Sequence, residues 1–352
     1  MKKIEILMRT SHKIYFTNSQ EMQEIKDESV NLVITSPPYP MIEIWNDLFC
    51  NQNSEIKHAL EKGDGSLAFE LMHKELDLVW DEVYRVLKSG GIACINIGDA
   101  TRRIGDDFRL YSSHSRILNH CIKIGFSCLP SIIWTKQTNA PTKFMGSGML
   151  PPGAYVTLEH EHVLILRKGK KREFETEDEK EIRRASTYFW EERNLWFSDL
   201  WDLRGIPQTL EKDNLRERSA AFPFELAYRL INMFSIKGDV VLDPFIGTGT
   251  TMLAAMASAR NSIGVEINEH FYDLISSGIK GIVEFTNEYN ENRIQKHADF
   301  VKKNPDKFSE ATYVNKFYNL PVTTKQEIDL KLNELREVKE TSKNHYQVEY
   351  ED

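Results

Sequence analysis

The sequence is short of cysteine, of long apolar runs and of positive charge, and each shortage removes a class of protein. Its 352 residues include four cysteines, Cys50, Cys94, Cys121 and Cys128, without Cys-x-x-Cys spacing. Small secreted folds rely on dense disulfide frameworks, so reduced, structural thiols are expected here. Histidines cluster only at His160 and His162, and no cysteine pair lies nearby, so no metal site is expected. No stretch approaches the roughly 18 apolar residues of a membrane span, and Met1-Lys2-Lys3-Ile4-Glu5 does not open an apolar signal core. The expectation is a cytoplasmic protein with no membrane partner. A formal net charge of -8 excludes an indiscriminate nucleic-acid coat, which gains affinity by neutralising phosphates. Local basic patches are still present: Arg102, Arg103 and Arg109; Lys168, Lys170, Lys171 and Arg172; Arg183 and Arg184; Arg216 and Arg218. Singly, each such group is commonly a solvated face.

What is present is a regular alternation of elements. Seven short β-rich runs occupy residues 13–16, 30–35, 92–97, 131–135, 162–166, 240–243 and 263–266. Several are apolar throughout, as strands covered on both faces must be. Between them, Leu71, Met72, Leu76, Val79, Val83 and Leu87 recur at helical spacing up to Gly90-Gly91, a natural helix terminator. A second helical pattern runs from Phe224 to Gly238 and a third from Thr250 to Ala257. This alternation predicts an α/β fold with a doubly wound, mostly parallel sheet, whose ligands lie beyond the carboxyl ends of the strands. Residues 41–65 and 137–157 read as insertions, and 168–218 mixes charge with Tyr188, Phe189, Trp190, Trp196, Phe197 and Trp201. From about 281 to 352 the chain is rich in Asn, Lys and Glu, and 330–343 reads as an exposed helix or a partly disordered tail.

Two motifs stand at strand ends. The later one, Asp243-Pro244-Phe245-Ile246-Gly247-Thr248-Gly249-Thr250-Thr251, places two glycines between a strand and a helix. Glycine there lets backbone approach a ligand and leaves helix-start amides free for an anion. It is not a phosphate loop of the usual kinds: no lysine follows Gly249, and Met252 stands where a dinucleotide fingerprint has its third glycine. S-adenosylmethionine fits better. Its carboxylate meets the helix start, Asp243 can pair with its ammonium, and Glu266, at the end of the next strand, can accept both ribose hydroxyls. The bland readings are a helix cap for Asp243 and a surface acid for Glu266.

The earlier motif, Thr35-Ser36-Pro37-Pro38-Tyr39, follows the run 30–34. An exocyclic amine on a nucleobase is a poor nucleophile because its lone pair is delocalised into the ring, so an enzyme must supply aligned acceptors. Ser36 offers a hydroxyl, Pro37 a rigidly held carbonyl, and Tyr39 a face on which a flipped base can stack. Pro38 stiffens the loop.

Together these motifs resemble those of the β-group DNA amino-methyltransferases of bacterial restriction-modification systems, whose hallmark is Asp/Asn/Ser-Pro-Pro-Tyr/Phe placed before the cofactor motif. The resemblance spans about residues 13–272. It includes Leu87-Lys88-Ser89-Gly90-Gly91, Ile97-Gly98-Asp99, Ile133-Trp134-Thr135-Lys136 and Ala221-Phe222-Pro223. It implies a Rossmann-like S-adenosylmethionine-dependent methyltransferase fold with a seven-stranded sheet and inserted target-recognition segments. By this resemblance Ser36, Pro37, Pro38 and Tyr39 are catalytic. Thr35, Asp243, Pro244, Phe245, Gly247, Gly249, Thr250, Glu266, Ile267, Phe222 and Pro223 hold the cofactor. Residues 1–167 and 202–280 form the catalytic domain, 168–201 the target-recognition insert and 281–352 a charged helical extension. Double-stranded DNA is the implied partner, with a homodimer and a separately encoded restriction endonuclease as further associations. Serine before Pro-Pro is typical of cytosine-N4 enzymes, and adenine-N6 is the alternative. Ring-carbon methylation is disfavoured, because it needs a thiolate, commonly after proline, and none of the four cysteines follows proline. A binding module that retains cofactor without chemistry, and an RNA or protein methylase, are the competing classes.

Overall fold

The computed structural model describes residues 8–136, 145–203, 222–309 and 313–351. One ten-stranded sheet contains β1 (Arg9–Phe16), β2 (Val30–Thr35), β3 (Leu87–Ile97), β6 (Phe126–Thr135), β9 (His160–Lys168), β10 (Leu200–Asp202), β11 (Val240–Asp243), β12 (Asn261–Glu266), β15 (Leu335–Ser342) and β16 (His345–Tyr350). Their order is β10-β6-β9-β3-β2-β11-β12-β1-β16-β15. Three two-stranded ladders lie outside it: β4 (Ala100–Ile104) with β5 (Asp107–Tyr111), β7 (Met145–Gly146) with β8 (Ala154–Tyr155), and β13 (Tyr313–Val314) with β14 (Pro321–Val322). Only β9 and β16 run against the common direction of the large sheet. All seven runs anticipated from sequence are strands of this sheet. The count of seven is nevertheless too low, because the three-residue β10 and the hairpin β15–β16 extend its two edges.

Helices cover both faces. They are α1 (Asn46–Gln52), α2 (Ser54–Glu61), α3 (Gly65–Val86), α4 (Ser113–Lys123), α5 (Glu177–Ala185), α6 (Trp190–Trp196), α7 (Phe224–Phe234), α8 (Thr250–Ala257), α9 (Tyr272–Lys280), α10 (Ile282–Lys303) and the short α11 (Pro305–Phe308). Alternation along each strand sorts side chains between the faces. Val33, Ala93, Ile95 and Leu164 join a core with Leu76, Trp80 and Val83 of α3 and Ile117 of α4. Leu32, Ile34, Cys94 and Val163 join Leu226, Leu230 and Ile231 of α7 and Ala254 of α8 on the other. The insertion after β2 is helical rather than loose, with Phe49 and Ile56 buried in the first of these cores. Helix α3 starts at Asp64, whose carboxylate accepts the Leu67 amide at 2.9 Å, and ends at Val86, since Leu87 is already extended. The expected stop at Gly90-Gly91 is therefore displaced: both glycines lie within β3, Gly90 at φ +83°.

One further expectation is corrected, and the basic part of segment 168–201 is located in the fold. Residues 330–343 are not an exposed helix, because β15 pairs with β16 and β16 with β1. Leu335, Tyr346, Val348 and Tyr350 are buried there with Ile14, Met252 and Ile275. The segment 168–201 does not approach the carboxyl edge of the sheet along its basic part. Because β9 is antiparallel, Lys168 emerges at the opposite edge, where its ammonium donates to the Leu87 carbonyl at 2.7 Å. Arg172 pairs there with Asp239, just before β11, and the Lys237 amide donates to Ser186. Phe189, Trp196 and Trp201 are buried in apolar clusters, so these aromatics pack the protein itself. No helix among the described residues is long and apolar enough to cross a membrane.

The hairpin is part of the core by this account. Leu335→Ala should cost about 2–5 kcal/mol, as truncation of a buried leucine does. Lys339→Ala on the same strand should change stability by less than about 0.5 kcal/mol. Urea unfolding of both variants checks the contrast, and equal costs would count against the packing described.

Candidate active site

Strands β2 and β11 are neighbours and parallel, with Leu32 opposite Val241 and Val33 opposite Leu242. The loops that follow them therefore leave the same edge side by side. A buried carboxylate ties them together. Asp243 Oδ1 accepts from the Thr35 hydroxyl at 2.6 Å and from the Phe245 amide at 3.0 Å, and Oδ2 accepts from the Thr251 hydroxyl at 2.6 Å. Asp243 is only 2% exposed, and burial raises its carboxyl to about 6 against these three donors. Three of its acceptor positions are taken by the protein, so its side chain is a pin between loops. The ammonium partnership anticipated for it would use the lone pair left on Oδ2 or an intervening water.

Beyond the pin the chain turns tightly. Gly247 and Gly249 have φ of +48° and +88°, a backbone shape that favours glycine, and a β-carbon on Gly249 would press on Ile275 Cγ2 at 3.1 Å. Helix α8 starts at Thr250 with no side-chain cap, leaving its first amides for an anion. Glu266, at the end of β12, accepts the Gly247 amide on Oε2 and the Asn268 amide on Oε1, each at 3.0 Å. Burial raises its carboxyl, opposed by these backbone bonds. One amide on each oxygen leaves acceptor capacity for a vicinal diol. The residues present thus fit an adenosine cofactor carrying a carboxylate. Of the expected lining residues, Pro244 is buried, Phe245 sits edge-on to Trp80 at 6.3 Å, and Ile267 is 51% exposed. Pro223 immediately precedes α7, and Phe222 is buried in the apolar cluster that includes Ile34.

The Ser36 loop is held by a second buried acid that sequence reading missed. The Ser36 hydroxyl donates to Tyr39 at 3.1 Å, and the Tyr39 hydroxyl donates to Glu161 Oε2 at 2.8 Å. Asn96 Nδ2 donates to the Tyr39 oxygen at 2.9 Å and to Glu161 Oε2 at 2.6 Å, and Lys136 pairs with Glu161 Oε1. Burial, then the neighbouring Glu161 charge, holds the Tyr39 phenol well above its ordinary value, so it stays a donor. Pro37 and Pro38 are buried, and Ser36 and Tyr39 half-buried. Gly98 makes room, since a β-carbon there would lie 2.9 Å from Tyr39 Cε2. The signal for Asn96 and Glu161 was a polar residue inside or beside an apolar strand run.

The same edge carries Asp99, His114 and His162, whose donor atoms all lie within 4.8 Å of one another. Asp99 and His114, rather than cysteines, accompany the histidine pair. The His114 and His162 rings stack at 3.9 Å and 22°, which is packing geometry: near-parallel planes do not aim both nitrogens at one ion. Asp99 accepts from His114 Nδ1 at 2.8 Å and from the His114 amide at 3.1 Å. Beside these groups, the β4–β5 hairpin and β8 border a cleft of about 430 Å³ whose lining includes Glu43, Arg102, Arg103, Phe108 and Tyr155. Phe108 and Tyr155 stack at 4.8 Å, and Arg103 and Arg109 are exposed. Arg216, Arg218, Ala221 and residues 137–144 of the second insertion lie outside the described residues.

Comparison with known proteins decides what this edge belongs to. The DNA methylase family that acts at N6 and N4 amines matches residues 30–277. The chain belongs to the N6/N4 DNA methylase family. This methylase is 53% identical to the type II methyltransferase M.MthZI of Methanothermobacter thermautotrophicus over 98% of the chain and 96% of that protein. It is 51% identical to type II methyltransferase M.MjaI of Methanocaldococcus jannaschii over 78% of the chain and 93% of that protein. A putative DNA modification methylase of Thermus thermophilus, solved with S-adenosyl-L-methionine, is 31% identical, with a TM-score of 0.60 over 77% of this chain and 94% of that one.

Asp243 gives the methylase a pH signature. Its folded value of about 6 exceeds the ordinary 3.8, so from about pH 4 to about pH 6 the native state binds more protons there than the unfolded chain. The stability it contributes is greatest below this window, falls as pH rises through it, and is flat above. The span corresponds to about 3 kcal/mol. Asp243→Asn should remove that slope. Denaturant unfolding across the window should show the wild type losing stability relative to the variant, and parallel profiles would contradict the assignment.

Proposed function

We propose that this DNA methyltransferase moves a methyl group from S-adenosyl-L-methionine to the N4 amine of a flipped cytosine in duplex DNA, as the protective half of a restriction-modification system. The observation that carries the reading is the Thr35–Asp243 hydrogen bond, which sets the Ser36 loop against the glycine loop. The cofactor supplies an electrophilic methyl on a sulfonium. Helix α8's first amides and Thr250 receive its carboxylate, and Glu266 receives its ribose hydroxyls. Thr35, Pro244, Phe245, Ile267, Phe222 and Pro223 border the same loops. Ser36 Oγ and the Pro37 carbonyl accept the amine N–H groups, drawing electron density onto nitrogen and aiming its lone pair. Pro38 keeps the loop stiff, and Tyr39 offers the base a stacking face worth about 1–3 kcal/mol.

DNA recognition is assigned to the carboxyl edge, to the cleft bordered by Arg102, Arg103, Phe108 and Tyr155, in place of segment 168–201. Serine before Pro-Pro supports cytosine over adenine, the other base of the family. Incubation of unmodified genomic DNA with the protein and tritiated S-adenosyl-L-methionine, followed by digestion to nucleosides, should place the label on N4-methylcytosine. Label on N6-methyladenine would overturn the base assignment, and no label in any duplex would overturn the activity. In the same assay Ser36→Ala should lower turnover by about 10²-fold or more while cofactor affinity is kept, as loss of an aligned transition-state acceptor does. Arg103→Ala should weaken DNA binding without changing which base is labelled, and should reduce the slope of log affinity against log salt by about 1. Fluorescence anisotropy over a salt series reads that slope.

A further inference from the structure

The hydrogen bonds at Ser36 have a direction, and that direction suggests where the amine's proton goes. Ser36 donates to Tyr39, and Tyr39 donates to Glu161, with Asn96 donating to both of the latter. A serine hydroxyl has one proton and two lone pairs. With its proton turned towards Tyr39, Ser36 presents only acceptor capacity on its other side. Reversing the chain would put the Ser36 proton towards the amine and block the contact that the reaction needs. The carboxylate at the far end is what fixes the direction, since an ionised acid accepts and cannot donate.

We propose that Glu161 is a positioning residue and the terminal proton acceptor of a Ser36–Tyr39–Glu161 relay serving the methylated amine. This rests on the amino-methylation reading above. As the amine nitrogen uses its lone pair to form the new N–C bond, the C–S bond breaks with its electron pair going to sulfur. The nitrogen then carries one proton too many. That proton passes to Ser36 Oγ as the Ser36 proton passes to the Tyr39 oxygen and the Tyr39 proton to Glu161 Oε2. No hydroxyl ionises, and one neutral carboxyl results. The proton leaves to solvent, and rotation of the two hydroxyls restores the starting direction.

The surroundings of Glu161 suit this task. It is 8% exposed, so its charge acts through little water, while the side chain of its partner Lys136 is 38% exposed. Lys136 also lies over the Trp134 ring at 4.5 Å, which holds the ammonium in place without a second acid.

The test is single-turnover methyl transfer to unmodified genomic DNA with tritiated S-adenosyl-L-methionine, for Glu161→Gln, Tyr39→Phe and the double variant. Each single change breaks the relay at one link. Each should lower the transfer rate by about 10²-fold, the lower end of what positioned proton transfer contributes. Cofactor affinity and the DNA KM should be unchanged, and the double variant should be no slower than the slower single. Losses that multiply in the double variant, or that fall on KM or cofactor affinity, would overturn the relay and leave a bracing role. Should Glu161→Gln not fold, Tyr39→Phe decides alone: an unchanged rate overturns the relay. A wild-type protein that labels no DNA would instead sink the amino-methylation reading itself, which keeps the two failures apart.

Discussion

One buried carboxylate sets the geometry on which this molecule's chemistry depends. Asp243 ends one strand, yet its side chain accepts from Thr35 at the end of the neighbouring strand and from Thr251 in the first turn of α8. Hydrogen bonds to a charged partner are each worth about 1.5–3 kcal/mol, and a buried acid deprived of donors is destabilising by a similar amount. The three groups therefore move as a unit. The Ser36 loop cannot drift from the glycine loop without opening that cluster.

The same design recurs along the carboxyl edge. At the carboxyl edge of the sheet, Thr35, Asn96, Glu161, Asp243 and Glu266 are buried polar groups. Thr35 reaches Asp243, Tyr39 reaches Glu161 and the Gly247 amide reaches Glu266, so most of these groups are paired across the chain, as buried polar groups usually are. The positions of Ser36 and of the glycine turn are thus set by groups of high energetic consequence, and the apolar sheet below them serves as the rigid base. This is also where burial raises the carboxyls of Asp243 and Glu266.

The sequence made much of this legible, for identifiable reasons. The seven central strands could be read because each is a short apolar run closed by a turn, and the two motifs because glycine and proline are tied to particular backbone shapes. The hairpin of β15 and β16 could not. Its partly buried Val338 stands between Glu337 and Lys339, and a strand with one solvated face and rich in Lys and Glu looks like an exposed helix until its partner is known. The edge reached by segment 168–201 was not legible for a topological reason: composition shows arginines and tryptophans together, but only the reversed direction of β9 reveals where Lys168 emerges. Glu161 was missed because its meaning lies in Tyr39 and Asn96, 122 and 65 residues away.

The closing hairpin also orders events in time. Strand β1 has two neighbours, β12 and β16, and the hydroxyls of Thr10 and Tyr350, 340 residues apart, meet at 2.9 Å. At translation speeds of about 5–20 residues per second, β1 waits roughly 20–70 s on the ribosome before its last partner is made. Until then one flank of it offers unpaired amides and carbonyls to any other chain. A strand made long before its last partner is sealed late, so the cell's protection of the nascent chain matters most along that open edge.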